Sequence, residues 1–181
     1  EMRYRDPIIT GTTITLAISQ SGETADTLAA ANLAKDRGSR LMALTNVVGS
    51  TLSRDADDVL YTRAGPEISV ASTKAYLTML LGEYLMALAL GQRLGRIDDA
   101  TSTELVEAMR HLPVKIEEAL AYDESIKLLA ERFIGHEDVY FIGRGLDNAV
   151  AMEGSLKMKE ISYIHSEAMP AGELKHGTLA L

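Results

Sequence analysis

Three stretches of this chain hold side chains whose types and spacing could do chemistry. In "SQSGET", Ser19, Gln20, Ser21 and Thr24 crowd around Gly22, between the apolar run "ITLAI" and a helical pattern. A helix start offers backbone N–H groups without intrahelical partners, and its macrodipole favours negative charge. Glycine lets a ligand approach the backbone closely, and hydroxyls add donors without fixed charge. Together these features suit a phosphate cradle at a strand–helix junction. Simple capping, with Ser21 or Thr24 as N-cap, accounts for the same residues, and chemistry alone leaves both readings open. The stretch matches neither the G-x-x-x-x-G-K-[ST] nor the G-x-G-x-x-G phosphate loop, so a nucleotide is not indicated.

A second polar turn, "SVASTKAY", brings Ser69, Ser72, Thr73 and Lys74 to the start of another helical pattern, where capping is the simpler reading. The third stretch is "EGSLKMKEISYIHSEAMPAGELKHG". Lys157 and Glu160 are three apart on a predicted helix and share a face. A lysine beside a carboxylate can move protons once burial shifts their pKa values. Glu153 and Lys157, four apart, equally suit a solvated ion pair, and spacing alone favours that. Of the four histidines, His111 and His136 sit in polar surroundings and His165 near a helix end. His176 lies among Gly172, Glu173, Lys175 and Gly177, as in a functional loop. No His and carboxylate spacing suits a metal, so no metal site is expected.

These residues need elements to hold them. Strands are predicted over 13–18, over Arg40 to Thr45 and at "DVLYT", with a helix over Thr24 to Arg37 and a helical turn in "GSTLSRDAD". That alternation is the mark of a parallel sheet with helices packed on it. A long apolar helix follows over Ser72 to Leu94, then a polar boundary, "RIDDAT". Two amphipathic helices are predicted over Ser102 to Ala121, split or kinked by Pro113, and over Asp123 to Phe133. "DVYFIG" is a strand, and the turn "RGLDNAV" opens a helix to about Ile164. "HSEAMPAGELKHG" is expected to be a loop with one helical turn. "LAISQSGETADTLAAANLAK" and "YFIGRGLDNAVAMEGSLKMK" share a plan of strand, polar turn and helix, consistent with two related α/β halves.

The 181 residues suffice for one good-sized domain or two small ones, and the 46% hydrophobic content is ordinary for a globular protein. A net charge of −8 argues against a nucleic-acid surface but not against one small bound anion. Cysteine is absent, which excludes a disulfide framework and a cysteine nucleophile on this chain. No apolar run approaches the roughly 20 residues of a membrane span, and the N-terminus has no signal-peptide pattern. Both ends read as cut, and the chain is expected to be an internal piece of something longer.

"SQSGETADTL", "GPEISVASTKAY" and "EGSLKMKEISYIHSEAMPAGELKHG" together resemble the sugar-isomerase (SIS) region of the glutamine–fructose-6-phosphate aminotransferase family, and the likeness runs through essentially the whole chain. The resemblance implies an α/β fold of parallel sheets flanked by helices, flavodoxin-like, in three αβα layers. It implies two partial subdomains: 1–97 as the later part of the first, 98–136 as a helical connection and 137–181 as the first part of the second. The implied reaction makes glucosamine 6-phosphate from fructose 6-phosphate and glutamine-derived ammonia in the cytoplasm, without metal or organic cofactor. Ser19, Gln20, Ser21 and Thr24 would then hold the sugar 6-phosphate, with Val70 (through its backbone) and Ser72 near the sugar. Glu160 would shuttle a proton between C1 and C2, assisted by Lys157. His176 would open the sugar ring from the neighbouring subunit of a homodimer.

The resemblance also implies a glutaminase domain and a first sugar-binding loop upstream, and a catalytic lysine downstream. Thr178 stands where the family has proline. Two other readings share the phosphate turn: an SIS enzyme without glutaminase, such as a deglycase or ammonia-dependent isomerase, and a sugar-phosphate-sensing regulator. The "KEISYIH" and "GELKHG" stretches weigh against the regulator. Truncated sheets would expose apolar surface, so the isolated chain is expected to be poorly soluble or to dimerise.

Overall fold

The computed structural model describes residues 2–178, which divide into two compact units, Glu1–Arg110 and His111–Leu181. In the first, β1 (Ile14–Ser19), α1 (Ala25–Asp36), β2 (Arg40–Thr45), α2 (Thr51–Asp55) and β3 (Asp58–Tyr61) alternate as expected. The strands form a parallel sheet in the order β1-β2-β3, with Ser19 opposite Thr45 and Thr45 opposite Tyr61. All three strands therefore end together, and the turns that leave them gather at one edge.

The central strand β2 is covered on both faces, which is why "RLMALT" reads as a nearly continuous apolar run. Leu41 and Ala43 face a cluster with Ala17, Ala31 and Leu52. Leu44 points to the opposite face, where a Cβ on Gly82 of α3 (Lys74–Arg93) would lie 2.8 Å from its side chain. Small residues on α1, the buried Ala31 and Ala34, let that helix sit close to the sheet. The polar boundary segment caps rather than merely links: Thr101 N–H donates to Asp98 Oδ1 at 2.7 Å as α4 (Asp99–Arg110) begins. Asp98 is held below the usual carboxylate range, first by the Thr101 backbone N–H and then by the Thr101 side chain.

In the second unit Pro113 marks a break, standing in the first turn of α5 (Leu112–Leu120). Then come α6 (Asp123–Ala130), a 3₁₀ turn over Glu131–Phe133, β4 (Asp138–Gly143), α7 (Leu146–Ser162) and β5 (His165–Pro170). Helix α7 stops at Tyr163, which takes a left-handed conformation with φ of 61°.

"HSEAMP" is not a loop but a strand, β5, paired in parallel with β4 from Asp138–His165 to Gly143–Pro170. Its apolar signal is weak because only Ser166 and Met169 are buried. Burial of Ser166 is made tolerable by hydrogen bonding to α7: its Oγ lies 2.7 Å from Ser155 O and 3.0 Å from Ser155 Oγ. Each unit thus has parallel strands flanked by helices, as anticipated.

Candidate functional site

The β1–α1 turn is an organised structure with its own hydrogen bonds. Ser19 Oγ accepts from Gly22 N–H at 3.0 Å and lies 3.2 Å from Thr24 Oγ1. Ser21 Oγ accepts from Glu23 N–H at 3.1 Å. Gln20 O accepts from Asn46 N–H at 3.1 Å and from Thr45 Oγ1 at 3.4 Å, which ties the turn to the end of β2. Thr24 occupies the N-cap position of α1, yet its side chain makes no cap hydrogen bond. The capping explanation of these hydroxyls therefore fails at its best candidate: Thr24 pairs with Ser19 instead.

Gly22 has a different use from the one its sequence context suggests. It adopts φ of +66°, and a Cβ there would stand 2.2 Å from Ser50 Oγ and 2.7 Å from Ser50 Cβ. The space on that side is filled by the Ser50 side chain, so the glycine serves close packing of two turns rather than opening the backbone to a ligand.

The start of α3 repeats the separation of hydroxyls from capping. Here Glu67, which no sequence pattern singled out, does the capping, accepting from Ala75 N–H at 3.1 Å and Thr73 N–H at 3.3 Å. These bonds, Ala75 first, hold its carboxyl below the usual range against the opposing effect of burial. Ser72 is left uninvolved in capping: its Oγ is buried with no hydrogen-bond partner among the described residues. Val70 is 97% exposed. Asn46 shapes the intervening loop, donating to Gly65 O at 2.7 Å and accepting from Ala64 N–H at 2.8 Å. An open groove beyond the strand ends is lined by Gln20, Asn46, Arg63 and Glu67.

In the second unit, α7 brings Lys157 between two carboxylates. Its Nζ is 2.6 Å from Glu160 Oε2 and 3.4 Å from Glu153 Oε1. The side chains of Lys157 and Glu153 are partly buried, with Lys157 21% exposed, while Glu160 is an exposed residue. Burial is the largest single influence on Lys157 and acts to lower its pKa. Hydrogen bonds and charges from Glu160 and Glu153 outweigh it, so the pKa is raised and the ammonium is the resting form. His176 follows the 3₁₀ turn Ala171–Glu173, exposed, with its N–H on Glu173 O at 2.9 Å. No hydrogen bond or ion pair joins its ring to Lys157 or Glu160 among the described residues. Thr178 directs its hydroxyl to Met169 Sδ at 3.1 Å.

A parallel α/β sheet whose polar turns gather at its strand ends, one of them a hydroxyl-lined helix start, defines the class of open α/β domains that bind ligands beyond the carboxyl ends of their strands. The SIS domain model matches residues 1–89 and 133–181, and the chain belongs to that family. Over all 181 residues it is 58% identical to the glutamine–fructose-6-phosphate aminotransferase (isomerizing) of Symbiobacterium thermophilum. It is 53% identical to the Pseudomonas putida protein of the same name. It spans 30% of the length of each of these relatives. The solved C-terminal domain of glucosamine-fructose-6-phosphate aminotransferase from Francisella tularensis matches with a TM-score of 0.96 at 41% identity, over 99% of this chain and 50% of that one. No described helix is long and apolar enough to cross a membrane.

Proposed function

We propose that this chain is sugar-isomerase machinery of a glutamine–fructose-6-phosphate aminotransferase, making glucosamine 6-phosphate from fructose 6-phosphate and glutamine-derived ammonia. The observation that carries the reading is the Ser19–Thr24 pair at a helix start whose N-cap side chain makes no cap hydrogen bond. Its backbone N–H groups and the hydroxyls of Ser19, Ser21 and Thr24, with the Gln20 amide, form donors for a 6-phosphate. Val70, through its backbone, and Ser72 border the sugar. The names of relatives similar over the whole chain support the same reaction.

In the chemistry proposed, ammonia condenses at C2 with loss of water. Glu160 takes the C1 proton and returns it to C2, while the O1 proton passes to the imine nitrogen as C1 becomes a carbonyl, which converts the ketimine to the amino aldose. Lys157, held as a cation against Glu160, handles protons at the sugar oxygens. His176 opens the sugar ring from the neighbouring subunit of a homodimer. Binding energy at the phosphate, remote from C1 and C2, orients the reacting carbons. No metal or organic cofactor takes part. The proposal includes an upstream glutaminase, a cytoplasmic enzyme and the division into 1–97, 98–136 and 137–181 as parts of two subdomains and their connection.

Calorimetric titration of the intact protein with fructose 6-phosphate and with glucosamine 6-phosphate tests the reading. Saturable binding of both is expected. Binding of neither would leave the turn a structural element and overturn the assignment.

A further inference from the structure

Glu23 lies inside the phosphate turn, yet its carboxylate serves another element. Its Oε1 accepts from Thr51 N–H at 2.7 Å, the first residue of α2. On one side of it, Gly22 O accepts from Leu52 N–H at 3.0 Å. Ser50 Oγ occupies the space a Cβ on Gly22 would need. Three consecutive residues at the start of α2 thus grip two consecutive residues of the β1–α1 turn. Helix α2 has no acidic residue in its own first turn, so Glu23 supplies the negative charge its N-terminus favours. The Thr51 backbone N–H first, then its side chain, and the Arg54 charge hold the Glu23 carboxyl below its ordinary range against a smaller effect of burial. A carboxylate beside a bound phosphate would repel it; fastened to α2, Glu23 has a fixed partner for its charge.

We propose that Glu23 is a positioning residue: it locks the β1–α1 turn to α2 and so fixes Ser19, Ser21 and Thr24 in the arrangement that receives a phosphate. The proposal rests on the sugar-phosphate reading of that turn. It makes the lock a determinant of substrate affinity and not of the proton shift, which belongs to Lys157 and Glu160.

Three variants of the intact protein test it, each assayed for KM and kcat with fructose 6-phosphate beside a calorimetric titration. Glu23→Ala removes the acceptor. Thr51→Pro removes the donor and leaves Glu23 in place. Proline is tolerated at a first helical position, and Ser50 is already extended with ψ of 160°, as a residue before proline must be. Glu23→Gln keeps an acceptor oxygen. Loss of a cap of this kind is expected to raise KM about five- to tenfold in Glu23→Ala and in Thr51→Pro. In both, kcat stays within about twofold, and Glu23→Gln stays close to wild type.

Unchanged KM in both, a fall in kcat at unchanged KM, or a Glu23→Gln variant as weak as Glu23→Ala would overturn the proposal. Should Glu23→Ala fail to fold, Thr51→Pro decides alone. Failure of the wild-type protein to bind the sugar phosphate would instead sink the reading of the turn, and this proposal with it.

Discussion

Thr24 sits at the N-cap of α1 with its hydroxyl 3.2 Å from Ser19 Oγ, and it makes no cap hydrogen bond. A residue placed to satisfy its own helix is instead part of a small hydroxyl array built on the end of β1. If that array holds a phosphate, Ser19→Ala weakens binding of fructose 6-phosphate by about 10- to 100-fold, the worth of a hydrogen bond to a charged group. The kcat at saturation changes little. Calorimetry on the variant checks this, and a variant that loses only thermal stability would reduce Ser19 to a structural role.

Gly22 is required twice over, by its φ of +66° and by Ser50 packed against it. Gly22→Ala is expected to cost about 1–3 kcal/mol from backbone strain alone, and more from the clash. Adding Ser50→Gly removes the clash with Ser50, leaving only a tight 3.0 Å approach to Thr45 Oγ1, at a cap cost of only a few tenths of a kcal/mol, so the double variant should regain part of the loss. Urea unfolding of the two variants tests this. If the second substitution recovers nothing, Ser50 is not the obstacle.

Ser155 and Ser166 form a buried hydroxyl pair that joins α7 to β5. Ser166→Ala takes away the partner of the Ser155 hydroxyl and should lose about 1–2 kcal/mol, whereas Ser155→Ala leaves Ser166 Oγ donating to the carbonyl of residue 155 and should lose less. The double variant should cost less than the two singles added together, because it leaves no widowed hydroxyl. A double-mutant cycle by denaturant unfolding measures the coupling, and strict additivity would contradict it.

Burial, the largest single influence on Lys157, lowers its pKa, but Glu160 and Glu153 together outweigh it and raise the pKa. Raised above its unfolded value, it contributes stability that is fully present below the ordinary lysine range. That contribution is lost as pH climbs through the raised folded value. Glu153→Gln removes one of the two carboxylates and should bring the Lys157 titration down toward, or below, that of a free lysine. NMR titration of the lysine ε-carbon resolves the change; an unmoved midpoint would show that Glu153 at 3.4 Å contributes nothing.

What was legible in the sequence tracks how local each cause is. β2 and β4 stand at the residues their apolar runs indicate, and Lys157 meets Glu160 because three residues on a helix fix that contact. Strand β5 was hidden because a serine fills a core position, tolerated through a partner eleven residues earlier on α7. Glu67 capping α3 and Glu23 capping α2 were equally hidden. Each is placed by a turn that folds back, and no short spacing records that return. The Ser19 turn was visible as a polar cluster, but its hydroxyls' separation from capping belongs to geometry alone.

The most direct measurement is the proton shift itself in a Glu160→Gln variant of the intact protein. Conversion of fructose 6-phosphate with glutamine is followed alongside calorimetric binding. The sugar phosphate is expected to bind with near wild-type affinity while isomerisation falls by about 10²–10⁴-fold, the usual worth of a positioned acid–base group. A variant that binds and still isomerises at the wild-type rate would remove Glu160 from the chemistry and leave the proton shift without its base.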